Sequence, residues 1–367
     1  MVGKVTKVSR KQVLGLRVRA QQLDRESGDL AATDVLDIGV QDTGPDGSRW
    51  ALAIRGVDVG NLSDGDLVLL WTLRGAPHAY RRADVPSVAA AVEPFSDADA
   101  GKRIFDASKP LKAAGIGNLE ALDAVATAMR SVVTRPTVKG DVSGRLTRLM
   151  PGPYLRECRP CATTHLYEMP FRLAALRAGL ELQPGTSPPV LQRIPRFTRA
   201  AGPKPQHDVV RAYLGLFGPS TPKLVAGFVD APVTDVRAHW PEDVVEVTVD
   251  GEKRWLLESD VGALDAPPKV TRLLGPYDLY LQGKDRPLLV DEPAHAKALW
   301  PVIGRPGAVL SDGEVAGTWR PRASGRRLRL EVTLWSSTRS LRSAVEHQAE
   351  RLAAYRGAQL AGVELTG

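Results

Sequence analysis

The stretch Gly39-Val-Gln-Asp-Thr-Gly-Pro45 sets an amide, a carboxylate and a hydroxyl, those of Gln41, Asp42 and Thr43, into a short polar loop between apolar runs. Arg55 follows, and then WTLRGAPH from Trp71 to His78, where an Arg-Gly turn is closed by a histidine. Together these pieces read as a site near the end of a small N-terminal domain. Two readings of it stand side by side. In the functional one, His78 lies beside the loop and hydrogen-bonds a phosphate or orients a water, while Arg74 pairs a phosphate bidentately. In the structural one, the histidine is partly buried and bonded to backbone, and DTGPDG is a turn in which Asp42 caps local amides. Arg55 is expected to tie the loop to a sheet.

Other chemistry is largely excluded. Cys158, Cys161, His165 and Glu168 give a C-x2-C-x3-H-x2-E spacing. A structural zinc needs four tetrahedral ligands, and two cysteines and a histidine supply three, so no metal is expected. There is no G-x-S-x-G, no P-loop and no H-E-x-x-H, and GIGNLE lacks the last glycine of a dinucleotide fingerprint. No cofactor is implied. The same GIG could offer amides to a DNA phosphate in a helix-hairpin-helix, or serve only as a turn between helices.

The 367 residues exceed the usual domain size twofold, so two or three domains with a substantial core are expected. A composition of 43% hydrophobic and 25% charged residues is that of an ordinary globular protein. With 49 Lys and Arg against 42 Asp and Glu, the net charge is +7, a sign that favours polyanionic partners. The arginines cluster: Arg320, Arg322, Arg326, Arg327 and Arg329 form one group, and Arg193, Arg196, Arg199 and Lys204 another. A basic hairpin at 320–329 could lie along a duplex groove and neutralise phosphates. Aromatics make up only 5% and do not cluster, which argues against a single-strand stacking platform. No apolar run suits a membrane span or signal core, and two cysteines make no disulfide framework, so a cytoplasmic, nucleoid-associated monomer is expected.

The elements that must position these residues follow a pattern. Ser9 to Leu23 reads as an opening helix capped by Ser9, and Asp34 to Val40 as a second, short one. WALAIR (Trp50 to Arg55) and LVLLWTL (Leu67 to Leu73) read as apolar segments of a short sheet. Two helices are expected between Asp97 and Val133, separated by AGIGN. Thr137 to Met150 and Glu168 to Ala178 then form helices before the hairpin LELQPGTSPPVLQRIP, a wing. The order recurs with helices at His207 to Phe217, Thr221 to Val229 and Thr234 to His239, followed by a hairpin turning at Asp250-Gly251. Pro268 to Thr318 is strand-like and broken by prolines. Further hairpins turn at Asp312-Gly313 and Ser324-Gly325, and Ser337 to Tyr355 closes the chain as a helix.

In order and spacing, the motifs resemble the AlkZ-like and YcaQ-like bacterial DNA glycosylases, a winged-helix family. GVQDTGP aligns without a gap to that family's GVQAQDP, and RGAPH stands where RGTxH would. VDGEKRWLL, LLGPYDLYLQGKDR and LSDGEVAGTWR resemble further family motifs, so the likeness covers nearly the whole chain. The resemblance implies a monofunctional glycosylase that excises bulky or crosslinked alkylpurines, with two glutamines around an apolar residue positioning a water at C1′. A glutamine suits that task because its amide both accepts and donates. Here Gln41 is the first glutamine, Asp42 takes the apolar position and Thr43 replaces the second polar residue. Either Asp42 and Thr43 substitute for the missing partner, or the loop has lost catalysis and the chain is a non-catalytic, regulatory or architectural DNA-binding protein. A protein-interaction scaffold, a third reading, would bind DNA weakly and with little response to salt.

The expected architecture is therefore α+β, made of tandem winged-helix units with a C-terminal β-rich module. The first unit spans 1–95, a helical linker and second unit 96–200, a third unit 201–265, and the β-rich module with its closing helix 266–367. Duplex DNA is the expected partner. Gln41, Asp42, Thr43 and His78 are the candidate catalytic residues, and Arg74, Arg193, Arg196, Arg320, Arg322, Arg326 and Arg327 the candidate DNA contacts.

Overall fold

The computed structural model describes residues 6–336 and 338–367, without the side chain of Cys161. Among the described residues, helices alternate with strands that form four sheets. The opening helix, Arg10–Ala20, begins at Ser9, whose hydroxyl and backbone N–H close a reciprocal pair of bonds with Gln12. Its inner face reaches far along the chain. Leu14, Val18 and Leu23 pack with Trp50 and Ile54 into the core of the C-terminal module.

The second helix shortens to one turn, Val35–Ile38, because Gly39 follows at φ 90, where a Cβ would run into the Tyr80 ring. WALAIR is not a strand. Helix Gly47–Ala53 covers most of it, and its apolar residues divide between two cores. Trp50 and Ile54 face the C-terminal module, and Ala51 and Leu52 face helices Val209–Phe217 and Pro222–Val229. A segment buried on two sides shows no clean period, which is why the run looked extended.

A six-stranded sheet carries the glutamine loop. Its order is Val40–Gln41, Pro77–Arg81, Leu67–Trp71, Leu180–Leu182, Val190–Arg193, Thr137–Val138. The wing expected after Glu168 is thus an antiparallel hairpin, but it pairs through Leu182 with Leu69 of the first unit. The boundary drawn at 95 is crossed by one continuous sheet. Between Asp97 and Val133 there are three helices, Asp97–Arg103, Ser108–Ala113 and Asn118–Val132, rather than two.

The hairpin Val244–Val249 and Glu252–Leu257 turns at Asp250-Gly251 as expected, and it takes Thr6–Val8 as a parallel third strand. The boundary at 265 is bridged as well, since Arg17 and Arg254 both pair with Asp285. In the C-terminal module, Thr271–Leu274, Gly307–Ser311, Glu314–Ser324 and Arg327–Leu334 form an antiparallel meander. Short helices Arg286–Leu289 and Pro293–Leu299 interrupt the stretch expected to be strand-like. Helix Arg339–Tyr355 is not the last element: Gln359–Thr366 returns as a strand parallel to Arg327–Leu334. No helix among the described residues is long and apolar enough to cross a membrane.

Candidate active-site loop and nucleic-acid interface

The glutamine loop is built by pairing with the strand that carries the histidine. Gln41 stands opposite His78, Val40 opposite Ala79, and the Asp42 N–H donates to the Pro77 carbonyl at 2.8 Å. Opposite residues in an antiparallel pair share a face of the sheet, so Gln41 and His78 project to the same side. Gln41 is half-buried, and its Nε2 donates to Thr43 Oγ1 at 3.0 Å. Spending the amide nitrogen there leaves the amide oxygen as the group able to accept from a water or sugar hydroxyl.

Asp42 does what the structural reading expected of it. Its Oδ1 accepts from both Ser48 N and Ser48 Oγ at 2.8 Å, satisfying donors at the start of helix Gly47–Ala53. Gly47 lies against the same carboxylate so closely that a Cβ would strike Oδ1. Oδ2 has no hydrogen-bond partner among the described residues.

His78 is buried, 2% exposed, and engaged by the protein rather than held out to a phosphate. Its Nδ1 lies 3.0 Å from both the Ala76 carbonyl and Thr72 Oγ1. A carbonyl only accepts, so Nδ1 carries the proton and Nε2 is the bare nitrogen. The chain continues from the Thr72 hydroxyl to Tyr80 Oη at 2.9 Å and from Tyr80 to the Ile38 carbonyl at 3.1 Å. Burial, followed by the charge of Arg74, pushes the imidazole pKa down to about 3. It is neutral at physiological pH.

Arg74 is also turned inward, against the expectation that it pairs a phosphate. In the left-handed region at φ 59, it donates to the Phe228 carbonyl at 2.7 Å and to Gln282 Oε1 at 2.6 Å, with its guanidinium 4.7 Å from the Phe228 ring centroid. It thus clamps the RGAPH turn to helix Pro222–Val229 and to the turn Leu279–Gln282. Arg55 is structural, as expected, though it ties helices rather than a sheet. Fully buried, it reaches both oxygens of Asp278 at 2.8 and 2.9 Å and the carbonyls of Gln21 and Ala51.

The cations that stand free beside this site were not singled out from sequence. Lys284, Arg286 and Arg305 make no ion pair among the described residues, and they act on one another and on Arg74. Partial burial, then Arg74 and Arg286, lower the Lys284 pKa to about 8, with Asp230 opposing. Arg286 lies over the Trp300 ring and Arg305 over that of Tyr277. Lys284 and Arg286 belong to LLGPYDLYLQGKDR, so the signal was present in a motif read only as a family mark.

The arginines chosen from sequence divide. Arg193 donates to the Val133 and Arg130 carbonyls at 2.8 Å and so caps helix Asn118–Val132. Its strand lies four places from that of Gln41 in the sheet, about 19 Å at normal strand spacing. Arg320 donates to the Gly304 carbonyl, and Arg322 is paired with Glu331 across the hairpin. Arg196, Arg326 and Arg327 are exposed, with no side-chain partner among the described residues. The helix-hairpin-helix reading of GIG fails. The amides there are already taken, Leu119 N–H by Asp97 and Gly117 N–H by Glu120.

Of the C-x2-C spacing, Cys158 ends strand Leu155–Cys158, and the Cys161 side chain lies outside the described residues. Another ligand-like group was missed: Asp37, Asp84 and His207 lie within 4.8 Å of one another. Arg81 already occupies it, with Nη1 2.6 Å from Asp37 and 3.3 Å from Asp84, so its charge is met without an ion.

The family model for DNA glycosylase AlkZ-like proteins matches residues 35–355. The chain belongs to the AlkZ-like DNA glycosylase family. The match runs from the helix before the glutamine loop to the last helix, and membership places the protein among the DNA-repair glycosylases. No curated protein matches it in sequence. Among solved structures, the Streptomyces sahachiroi DNA glycosylase AlkZ is similar in fold, with a TM-score of 0.75 and 22% identity over 98% of this chain and 100% of that one. The matched region includes Gln41, Asp42 and Thr43. The structure gives the aspartate a capping task and the threonine a bond to the glutamine.

Proposed function

We propose that this glycosylase hydrolyses the bond between deoxyribose and an alkylated purine in duplex DNA, with Gln41 holding the water and the winged-helix units forming the trough. The half-buried pair in which Gln41 Nε2 donates to Thr43 Oγ1 carries this reading, because it engages the amide nitrogen and leaves the amide oxygen as an acceptor. The water oxygen bonds to C1′, the C1′–N9 bond breaks, and its electron pair leaves with the base. An N7-alkylpurine is cationic, so it departs neutral and needs no general acid. A histidine that stays neutral beside the loop fits that requirement. Asp42 Oδ2 is the oxygen available to take the proton the water loses. Lys284, Arg286 and Arg305 follow the phosphates.

The three runs of helices followed by a hairpin support the tandem winged-helix arrangement. Release of free base from an N7-alkylguanine duplex under single-turnover conditions tests the reading. Gln41→Ala is expected to lower the rate roughly 100-fold or more while leaving duplex affinity within about threefold. A full rate in Gln41→Ala overturns the assignment. Salt-sensitive binding by the wild type with no release would make the chain a non-catalytic binder.

A further inference from the structure

The loop joining helix Pro293–Leu299 to strand Gly307–Ser311 ends in Val302 and Ile303, which are 100% and 87% exposed. Among the described residues they are the two most exposed large hydrophobics, ahead of Phe105 at 65% and Leu149 at 58%. The tip is held stiffly. Pro301 and Pro306 bracket it, Gly304 turns it at φ 66, and Arg320 Nη2 donates to the Gly304 carbonyl at 2.7 Å. Nothing in the fold covers the two side chains.

The surroundings are cationic. Arg305 is two residues from Ile303, Arg286 stacks on Trp300 at the base of the loop, Lys284 lies within the electrostatic reach of both arginines, and Arg74 within that of Arg305. The carboxylates acting on this group are Asp230, near Lys284 and Arg74, and Glu331, near Arg320 but paired with Arg322. Apolar wedges inserted between base steps are commonly aliphatic or proline, and flanking cations hold the phosphates on either side.

We propose that Val302 and Ile303 form a wedge that enters a groove of duplex DNA and unstacks a base step beside the Gln41 loop. The inference rests on the duplex-acting reading above and adds the element that deforms the substrate. An anionic lipid surface would also suit an apolar tip among cations. Contacts lead from the loop to the glutamine: Arg305 lies over the Tyr277 ring, Gln282 donates to the Tyr277 carbonyl and accepts from Arg74, and Arg74 sits in the turn that leads to His78, opposite Gln41, which favours the nucleic acid.

The test uses the full chain, Val302→Ser/Ile303→Ser and Ile303→Leu, with a duplex bearing 2-aminopurine next to an N7-alkylguanine. At saturating protein, the wild type and Ile303→Leu are expected to raise the fluorescence severalfold. The double serine variant is expected to lose most of that rise while keeping the wild-type salt slope of binding. An equal rise in wild type and double variant overturns the wedge and leaves the Gln41 reading standing. Salt-insensitive or absent binding of the duplex by the wild type overturns both. Co-sedimentation with phosphatidylserine vesicles that the serine changes abolish, without any effect on the fluorescence, overturns the wedge in favour of a lipid surface.

Discussion

Replacing Lys284, Arg286 and Arg305 together with glutamine removes three cations that form no ion pair among the described residues. If each meets one phosphate, the slope of log affinity against log salt should become shallower by about 0.9 per residue, or about 2.7 in all. Over a fourfold rise in salt, roughly 50 to 200 mM, the wild type should therefore lose about 40-fold more affinity than the triple variant. Fluorescence anisotropy with an undamaged labelled duplex measures this at neutral pH, where Lys284, at a pKa of about 8, is still mostly charged. Arg322→Gln is the control. Its guanidinium lies 2.7 Å from Glu331, so removing it should change the slope by much less than one charge. The three positions lie at the surface or against aromatic rings rather than in ion pairs, and the variant should fold. A slope within about one unit of wild type would refute the view that these cations, rather than the arginines at 193 and 320–327, form the principal phosphate track.

Two further outcomes follow from the same geometry. Duplex affinity should fall as pH rises from 7 to 9, because Lys284 loses its proton around 8 and a phosphate binds only the charged form; Lys284→Arg should flatten that decline, as read by anisotropy across the range. Arg55→Met leaves the Asp278 carboxylate in the core with only the Tyr280 N–H as a partner and should cost about 3 to 5 kcal/mol in urea unfolding, with Asp278→Leu in the same chain restoring a large part.

Local signals in the chain were read well where the physics is local. The Ser9 cap, the Asp250-Gly251 turn and the alternation around Asp312-Gly313 each depend on residues within a few positions of one another. The reading weakened where side chains act over long separations. Arg74 sits in a Gly-containing turn that invites a phosphate, yet its partners Phe228 and Gln282 are 154 and 208 residues away. Arg193 looks like part of a basic run, but it spends its donors on the end of a helix 60 residues earlier. The converse holds for Lys284, Arg286 and Arg305. Lys284 and Arg286 flank Asp285 in a short charged run, Arg305 stands apart from them, and the fold groups the three. The last strand, QLAGVELT, was missed because its side chains are mostly half-buried or exposed, so it lacks the apolar alternation that marks its neighbours. The cap by Asp42 was legible in the sequence as a local turn, whereas its particular partner, Ser48, was not.

Thr6–Val8 lies alongside residues 247–249, and the helix that follows it inserts between the third hairpin and the C-terminal meander. The strand Thr6–Val8 therefore finds its partner only after more than two hundred further residues have been made. Until then the apolar face of the opening helix is uncovered. Closure of the ring is consequently a late, non-local event, slow by the measure of contact order and the stage most exposed to aggregation. Once in place, the opening helix ties the third hairpin to the C-terminal module, so local unfolding of one is resisted by the other.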